Sequence, residues 1–193
     1  MKFSSYEQYE LLKAWSAVSL AFAILLSDGL SGLFTFHFLL MIVVAAITVG
    51  IGFLLHELAH KYLAQQYGCW AEFRSDGKML LFMIALSFFG FIFAAPGAVV
   101  IHGTVDRVRH GRISLAGPAT NIVLAILFWF LSFILPEALA LFSSYGFMIN
   151  SWLGLFNMLP FWQFDGAKVF AWNKIVFSFV IGIAALLTFA SGF

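Results

Sequence analysis

The sequence predicts an all-α polytopic membrane protein with five to six transmembrane helices and a small membrane-associated β-hairpin or re-entrant element. Hydrophobic residues make up 63% of the 193 residues and charged residues only 10%, with a mean hydropathy of +1.00. This is more apolar surface than a soluble core of this size can bury. The apolar residues also gather in stretches of membrane-spanning length, and every Lys and Arg lies outside those stretches.

Six apolar stretches can be delimited along the chain, at residues 14–34, 38–60, 79–101, 113–135, 145–164 and 175–193. Between the second and third, Asp76-Gly77 stands between two short strand-like runs, which predicts a β-hairpin at the membrane surface. The third stretch contains the sequence AAPG at 94–97, and such a Pro-Gly pair interrupts a spanning helix. We therefore expect this stretch to enter the membrane and return.

The distribution of basic residues supports the re-entrant interpretation. If all six stretches cross, five Lys and Arg fall on each face of the membrane; if residues 79–101 re-enter, all ten fall on one face. Such asymmetry is typical of a cytoplasmic side. We therefore expect five crossings, a cytoplasmic amino terminus and an external carboxyl terminus. No linker or repeat divides residues 1–193, which predicts a single membrane-embedded domain, and no basic cluster indicates a nucleic-acid partner.

The sequence HELAH at 56–60 is the first indication of chemistry. His56 and His60 are one helical turn apart and project from the same face, so their imidazoles can bind one metal ion. Glu57 lies where a carboxylate can take a proton from metal-bound water, as in zinc peptidases. The alternative is that these are polar helix-end residues paired with neighbours. The apolar turns before them favour the metal site, because desolvation keeps imidazole in its neutral, ligating form.

A catalytic zinc needs a third protein ligand and leaves a fourth position open. Asp165 is favoured because it closes an otherwise apolar run at the end of the fifth stretch. His56 and Asp165 lie at the carboxyl ends of their stretches, so they reach the same depth in the membrane only if those two helices run parallel. The re-entrant topology makes them parallel. The alternative for Asp165 is a helix cap or a turn residue before Gly166. The other acidic residues weighed as ligands lie in loops, turns or polar segments: Asp28, Glu72, Asp76, Asp106 and Glu137.

Three segments together resemble the site-2 protease family of intramembrane zinc metallopeptidases: HELAH at 56–60, AGPATN at 116–121 and NMLPFWQFDG at 157–166. The resemblance covers about residues 38–166, the expected catalytic core. It implies that one zinc ion is held by the two histidines and the aspartate of the DG pair, and that the intervening glutamate is the general base. In this chain those residues are His56, His60, Asp165 and Glu57.

The resemblance has further implications for the substrate and the surroundings of the site. Asn157 corresponds to the family's asparagine eight residues before the aspartate, and is expected to hydrogen-bond a developing oxyanion. The partners would be the lipid bilayer and a transmembrane protein substrate, which the segment Gly97–Gly103 would bind as an edge strand. The protein would be a multi-pass cell-membrane protein, prokaryotic, with its active site near the cytoplasmic face. Trp162 and Gln163 depart from the pattern, because family members often have prolines there.

Two other functions remain open at this stage. One is a catalytically silent membrane adaptor or chaperone of the same fold that binds zinc, and the other is a prenyl-protein protease with a glutamate as third ligand. Asn121 could bond across to a neighbouring segment or simply pack. The remaining histidines are expected to be interfacial or solvated rather than metal-binding, namely His37, His102 and His110.

Overall fold

The computed structural model describes residues 1–27, 29–92 and 96–192, and the chain is 73% helical. The helices are α1 Ser5–Leu26, α2 Phe36–Ala45, α3 Ile51–Gln66, α4 Gly77–Ser87, α5 Arg107–Leu131, α6 Ala140–Asn157, α7 Asp165–Trp172 and α8 Lys174–Ala190. The strands are β1 Trp70–Ser75 and β2 Gly97–His102. The predicted helical fold class is therefore confirmed, together with a small β element.

Among the described residues, four helices are long and apolar enough to cross a membrane: Ser5–Leu26, Phe36–Gln66, Arg107–Leu131 and Glu137–Asn157. The second joins α2 and α3 through a π-helical turn at Ala46–Gly50. The apolar helices α4 and α8 are shorter than a regular span. The count of five to six crossings, the re-entry of residues 79–101 and the direction of insertion remain predictions. Asp28 and the residues Ala94-Ala95 of the interrupting sequence lie outside the described residues.

Helix α1 begins nine residues earlier than the predicted apolar stretch. Ser4 caps it, because its hydroxyl accepts a hydrogen bond from the amide of Glu7. The polar start of the chain is helical because Glu7 and Glu10 are buried and bind the backbone of β1. The Glu7 carboxylate accepts from the amide of Phe73 at 2.9 Å, and the Glu10 carboxylate accepts from that of Ser75 at 3.0 Å.

The hairpin predicted around Asp76-Gly77 is wrong. The Asp76 side chain accepts hydrogen bonds from the amides of Lys78 and Met79, so it caps the amino terminus of α4 instead of forming a turn between strands. The apolar run that follows is therefore helical. The partner of β1 is β2, twenty-two positions further along the chain.

The two strands run antiparallel. A Cβ at position 97 would lie beside the carbonyl of Arg74, and a Cβ at position 103 would lie beside Cys69. The start of β2 is therefore next to the end of β1, and the residues after β2 are next to those before β1. The strand predicted within Gly97–Gly103 is confirmed as β2. Its side chains alternate in exposure, with Ala98, Val100 and His102 exposed.

The chain divides into two compact units, each built from separated segments. One contains residues 2–54 and 72–100, which include α1, α2 and α4. The other contains residues 55–71 and the chain from residue 101 onward, which include HELAH and helices α5 to α8. In this second unit α5 packs against both α6 and α7. All the predicted metal ligands lie in the second unit, and the single-domain boundary 1–193 remains a prediction.

Candidate metal centre

The two histidines of HELAH are buried on one face of α3. The two residues are only 6% and 8% exposed, and the centroids of their rings are 4.7 Å apart. This proximity follows from the spacing of four residues, which places His56 and His60 one above the other on a helix. Both imidazoles are therefore withdrawn from water and directed to a common region.

Asp165 reaches this region from the first residue of α7. Gly166 allows the approach, because a Cβ there would collide with the backbone of Met158 and Leu159. Met158 and Val169 are fully buried in one apolar cluster, which holds α7 against the end of α6.

The three side chains converge on one point. The Oδ2 atom of Asp165 lies 3.3 Å from Nε2 of His56 and 3.1 Å from Nε2 of His60. Tetrahedral coordination with bonds of about 2.0–2.1 Å separates two ligand atoms by about 3.3 Å. The two separations from Asp165 match what a tetrahedral zinc ion requires, and all three ligand atoms lie within 4.8 Å of one another. Within the described part of the chain, these residues form a group with metal-binding geometry.

A stripe of α5 lines this site. Ile113, Gly117 and Asn121 are spaced by four residues and therefore share one face of the helix. The carbonyl of Ile113 bonds to Nδ1 of His60 at 2.7 Å, and Oδ1 of Asn121 bonds to Nδ1 of His56. Between them, Gly117 is so close that a Cβ at this position would lie within 3 Å of both Nε2 atoms. The two outer residues orient the imidazoles, and the glycine leaves room for an ion.

The hydrogen bonds decide which nitrogens are free to bind a metal. A carbonyl oxygen can only accept, so Nδ1 of His60 carries a proton, and in the neutral ring Nε2 is the nitrogen that presents a lone pair. Nδ1 of His56 likewise donates to Oδ1 of Asn121. With both rings neutral, their Nε2 lone pairs point to Oδ2 of Asp165 across 3.1–3.3 Å, and a cation between them would be bound by all three donors. This donor set fits a divalent metal ion.

Glu57 is also buried and only 8% exposed. It is close enough to interact electrostatically with both imidazoles and with Asp165. Its position next to His56 on α3 brings a carboxylate to the site without adding a fourth ligand to the group.

Asn157, the predicted oxyanion donor, is the last residue of α6. Its amide donates to the carbonyl of Leu153, one turn earlier in the same helix, at 3.0 Å. The role expected for Asn157 therefore remains a prediction.

Lys168 was not singled out in the sequence. Its ammonium group lies 3.6 Å from Oδ1 of Asp165 and donates to the carbonyl of Gln163 at 3.1 Å. The two oxygens of Asp165 thus have different neighbours, since Oδ2 faces the imidazoles. A basic residue three positions after an acidic one at a helix start is the sequence signal that could have indicated this pairing.

Four of the acidic residues weighed as alternative ligands lie in the described part of the chain, away from the group of three; Asp28 lies outside it. Glu72 pairs with Arg74, and Glu137 is exposed at the start of a 3-10 turn. Asp76 caps α4 and Asp106 caps α5. The remaining histidines are exposed, as expected: His37, His102 and His110.

Asn150 on α6 was also missed. It is fully buried and accepts a hydrogen bond from the amide of Asn121 at 3.1 Å, so it is connected to His56 through Asn121. The sequence signal was an amide side chain in the middle of a mainly apolar helix.

The fold and the site together define a helical protein with membrane-length apolar helices and a buried group of two histidines and one carboxylate that could hold a metal ion. The chain is 42% identical over 147 residues to a protein of Methanocaldococcus jannaschii named "Putative zinc metalloprotease MJ0611", covering 74% of this chain and 76% of that protein. It is 31% identical over 144 residues to "Putative zinc metalloprotease YwhC" of Bacillus subtilis, covering 64% and 65% respectively. The chain belongs to the family of these zinc metalloproteases. No family model and no solved structure matches it.

Proposed function

We propose that this protein is an intramembrane zinc endopeptidase of the site-2 type, which hydrolyses peptide bonds within or near transmembrane segments of other proteins. The observation that carries the proposal is the convergence of His56, His60 and Asp165 on one point beside Gly117. Three donors with room for a further ligand are typical of catalytic zinc, whereas structural zinc sites usually have four protein ligands. The names of the two relatives support zinc as the ion.

Each residue has a defined task in this reaction. Zinc, when bound, would act as a Lewis acid and lower the pKa of a coordinated water. The Glu57 carboxylate would take a proton from the attacking water and deliver it to the leaving amine. The bonds from Ile113 and Asn121 would keep both histidines in the ligating tautomer throughout. Asn157 has a second amide hydrogen besides the one given to Leu153, and this hydrogen could stabilise the oxyanion.

The position of the histidines supports a membrane location for the chemistry. They lie in the continuous helix Phe36–Gln66, twenty residues after its start, and the turns before them are apolar. A helix of twenty residues spans about 30 Å, close to the thickness of the hydrocarbon core. The site would thus lie near one boundary of the bilayer, which we assign to the cytoplasmic side from the distribution of Lys and Arg.

The two-stranded sheet offers one edge for an unwound substrate. The outer edge of β1 is covered, since Glu7 and Glu10 accept hydrogen bonds from the alternate amides of Phe73 and Ser75. The outer edge of β2 is therefore the edge to which we expect a substrate strand to add. Strand addition would hold the substrate extended, so that a carbonyl could reach the metal.

Cleavage of a transmembrane reporter by purified protein in detergent tests this function. Glu57→Gln should retain zinc but lose activity by about 10²- to 10⁴-fold, because the amide cannot accept the proton. Glu137→Gln is the matched control, since Glu137 is exposed outside the site, and it should cleave normally. Undiminished cleavage by the Glu57 variant would refute the mechanism.

A silent zinc-binding adaptor is the second candidate function. It is favoured by Trp162, a non-glycine residue with positive φ that lies three residues before Asp165 where family members often have proline. A silent protein would bind zinc and cleave no reporter in either the native or the variant form. The same experiment therefore separates the two candidates.

A further inference from the structure

We propose that Asn150 is a positioning residue for the metal centre: acting through Asn121, it fixes the tautomer in which His56 can bind the ion. The inference rests on the proposed function, because it concerns the same zinc site. It goes beyond the predicted ligands, since the described hydrogen bonds of Asn150 go to Asn121 and Gly146.

The three residues form one buried chain of hydrogen bonds between helices α3, α5 and α6. Asn121 and Asn150 are both fully buried. His56 bonds to Asn121, the amide of Asn121 donates to Oδ1 of Asn150 at 3.1 Å, and the amide of Asn150 donates to the carbonyl of Gly146 at 2.9 Å. Burying two amide side chains is costly unless they are hydrogen-bonded, so packing alone does not explain this pair.

The carbonyl of Gly146, at the end of this hydrogen-bond series farthest from His56, sets the donor and acceptor of each bond in the series. The carbonyl of Gly146 can only accept, so Asn150 must use its NH₂ group there and turn its oxygen towards Asn121. Asn121 then donates to that oxygen and turns its own oxygen towards His56. Nδ1 of His56 must consequently carry a proton, so in the neutral ring Nε2 is the nitrogen whose lone pair faces Asp165.

Without Asn150, the orientation of the Asn121 amide group would no longer be fixed. The Asn121 side chain could then rotate and present its NH₂ group to Nδ1 of His56, which would accept the bond and move the ring proton to Nε2. A protonated Nε2 cannot bind zinc. An aspartate at position 121 would not need Asn150, because both ends of a carboxylate accept hydrogen bonds.

Zinc affinity, measured by competition with a chromophoric chelator on the full chain in detergent, tests the inference. Asn150→Leu should weaken zinc binding by about 10- to 100-fold, the range found when partners of ligating histidines are removed. Asn121→Asp should bind zinc well. The double variant Asn121→Asp/Asn150→Leu should bind as well as Asn121→Asp alone, because the carboxylate replaces the function of Asn150.

Ser151→Ala is the matched control. Ser151 is also fully buried on α6, but its hydroxyl bonds only to the carbonyl of Phe147 in its own helix among the described contacts. This variant should keep native zinc affinity. Asn150→Asp provides a second route should the leucine variant not fold, since its protonated carboxyl reproduces both hydrogen bonds and should keep zinc within a few-fold of native.

Two results would overturn the inference: Asn150→Leu binding zinc as tightly as Ser151→Ala, or the double variant losing as much affinity as Asn150→Leu alone. If Asn150→Leu does not fold, loss of zinc binding by folded Asn150→Asp would overturn the inference instead. Native protein that binds zinc but cleaves no reporter would overturn the proposed protease while leaving the affinity comparison intact. Native protein that binds no zinc would overturn both.

Discussion

Gly117 lies so close to His60 that a single added carbon would contact the Nε2 atom of that imidazole. The same carbon would contact Nε2 of His56. The main chain of α5 thus forms one wall of the metal centre, and the absence of a side chain leaves space where the two lone pairs meet Asp165.

Gly117→Ala should therefore weaken zinc binding by at least tenfold, because the new methyl group would compete with the ion for space. Gly182→Ala is the control. Gly182 lies in α8, where a Cβ would meet no atom within 4 Å, so this variant should keep zinc and fold normally. Zinc content after purification and chelator competition measure both. Native affinity in folded Gly117→Ala would contradict the position assigned to the ion.

Asp165→Ala should lose zinc, because it removes the only anionic member of the three-residue group. Glu72→Gln and Glu137→Gln should retain it, since Glu72 pairs with Arg74 and Glu137 is exposed. Metal analysis of the three purified variants distinguishes an aspartate-ligated site from the glutamate-ligated site of a prenyl-protein protease. Zinc retained by Asp165→Ala and lost from either glutamate variant would favour the latter.

Removal of zinc should lower the thermal stability of the protein. A ligand present at a hundred times its dissociation constant stabilises the folded state by about 2.7 kcal/mol, provided that it does not bind the unfolded state. A chelator should therefore lower the unfolding temperature of native protein and of Glu57→Gln, and added zinc should restore it. Asp165→Ala should respond to neither addition. An equal shift in all three proteins would show that the chelator acts elsewhere.

Gly77→Ala tests whether Gly77 begins helix α4 or lies in a hairpin turn. In a tight hairpin turn Gly77 would need a positive φ and alanine would be destabilising. In α4 its backbone is not in the positive-φ region and a Cβ would meet no atom within 4 Å, so alanine should be neutral or stabilising by up to about 1 kcal/mol.

Gly97→Ala is the contrasting variant for that experiment. Gly97 has a φ of 151°, and a Cβ there would collide with the carbonyl of Arg74, so alanine should cost about 1–3 kcal/mol. Thermal unfolding in detergent compares the two variants. Strong destabilisation by Gly77→Ala would support the turn rather than the helix.

Much of the helical architecture could be predicted because apolar stretches in a membrane protein have few alternatives to helices. The prediction was wrong at Asp76-Gly77, where the same two residues suit a hairpin turn and a helix start. Local sequence could not separate these, because the decision depended on whether β1 pairs with the next residues or with β2. Helix α1 also begins earlier than hydropathy indicated, since the buried Glu7 and Glu10 bind the backbone of β1.

Some residues of the candidate site could also be predicted from the sequence, and others could not. Helical spacing placed His56 and His60 on one face, and Asp165 was selected by its place at the end of an apolar run. Asn150 and Lys168 could not be assigned, because neither has a pattern that connects it to HELAH.

The sequence by itself determined that this chain has an apolar helical fold and carries a two-histidine motif with a glutamate between the histidines. Helical periodicity and hydropathy are local properties, so they can be read without a structure. Only the tertiary structure decided that α5 lies against HELAH, with Ile113, Gly117 and Asn121 on the contacting stripe. That stripe fixes the tautomers of the histidines and the space between them, and these depend on contacts between residues more than fifty positions apart.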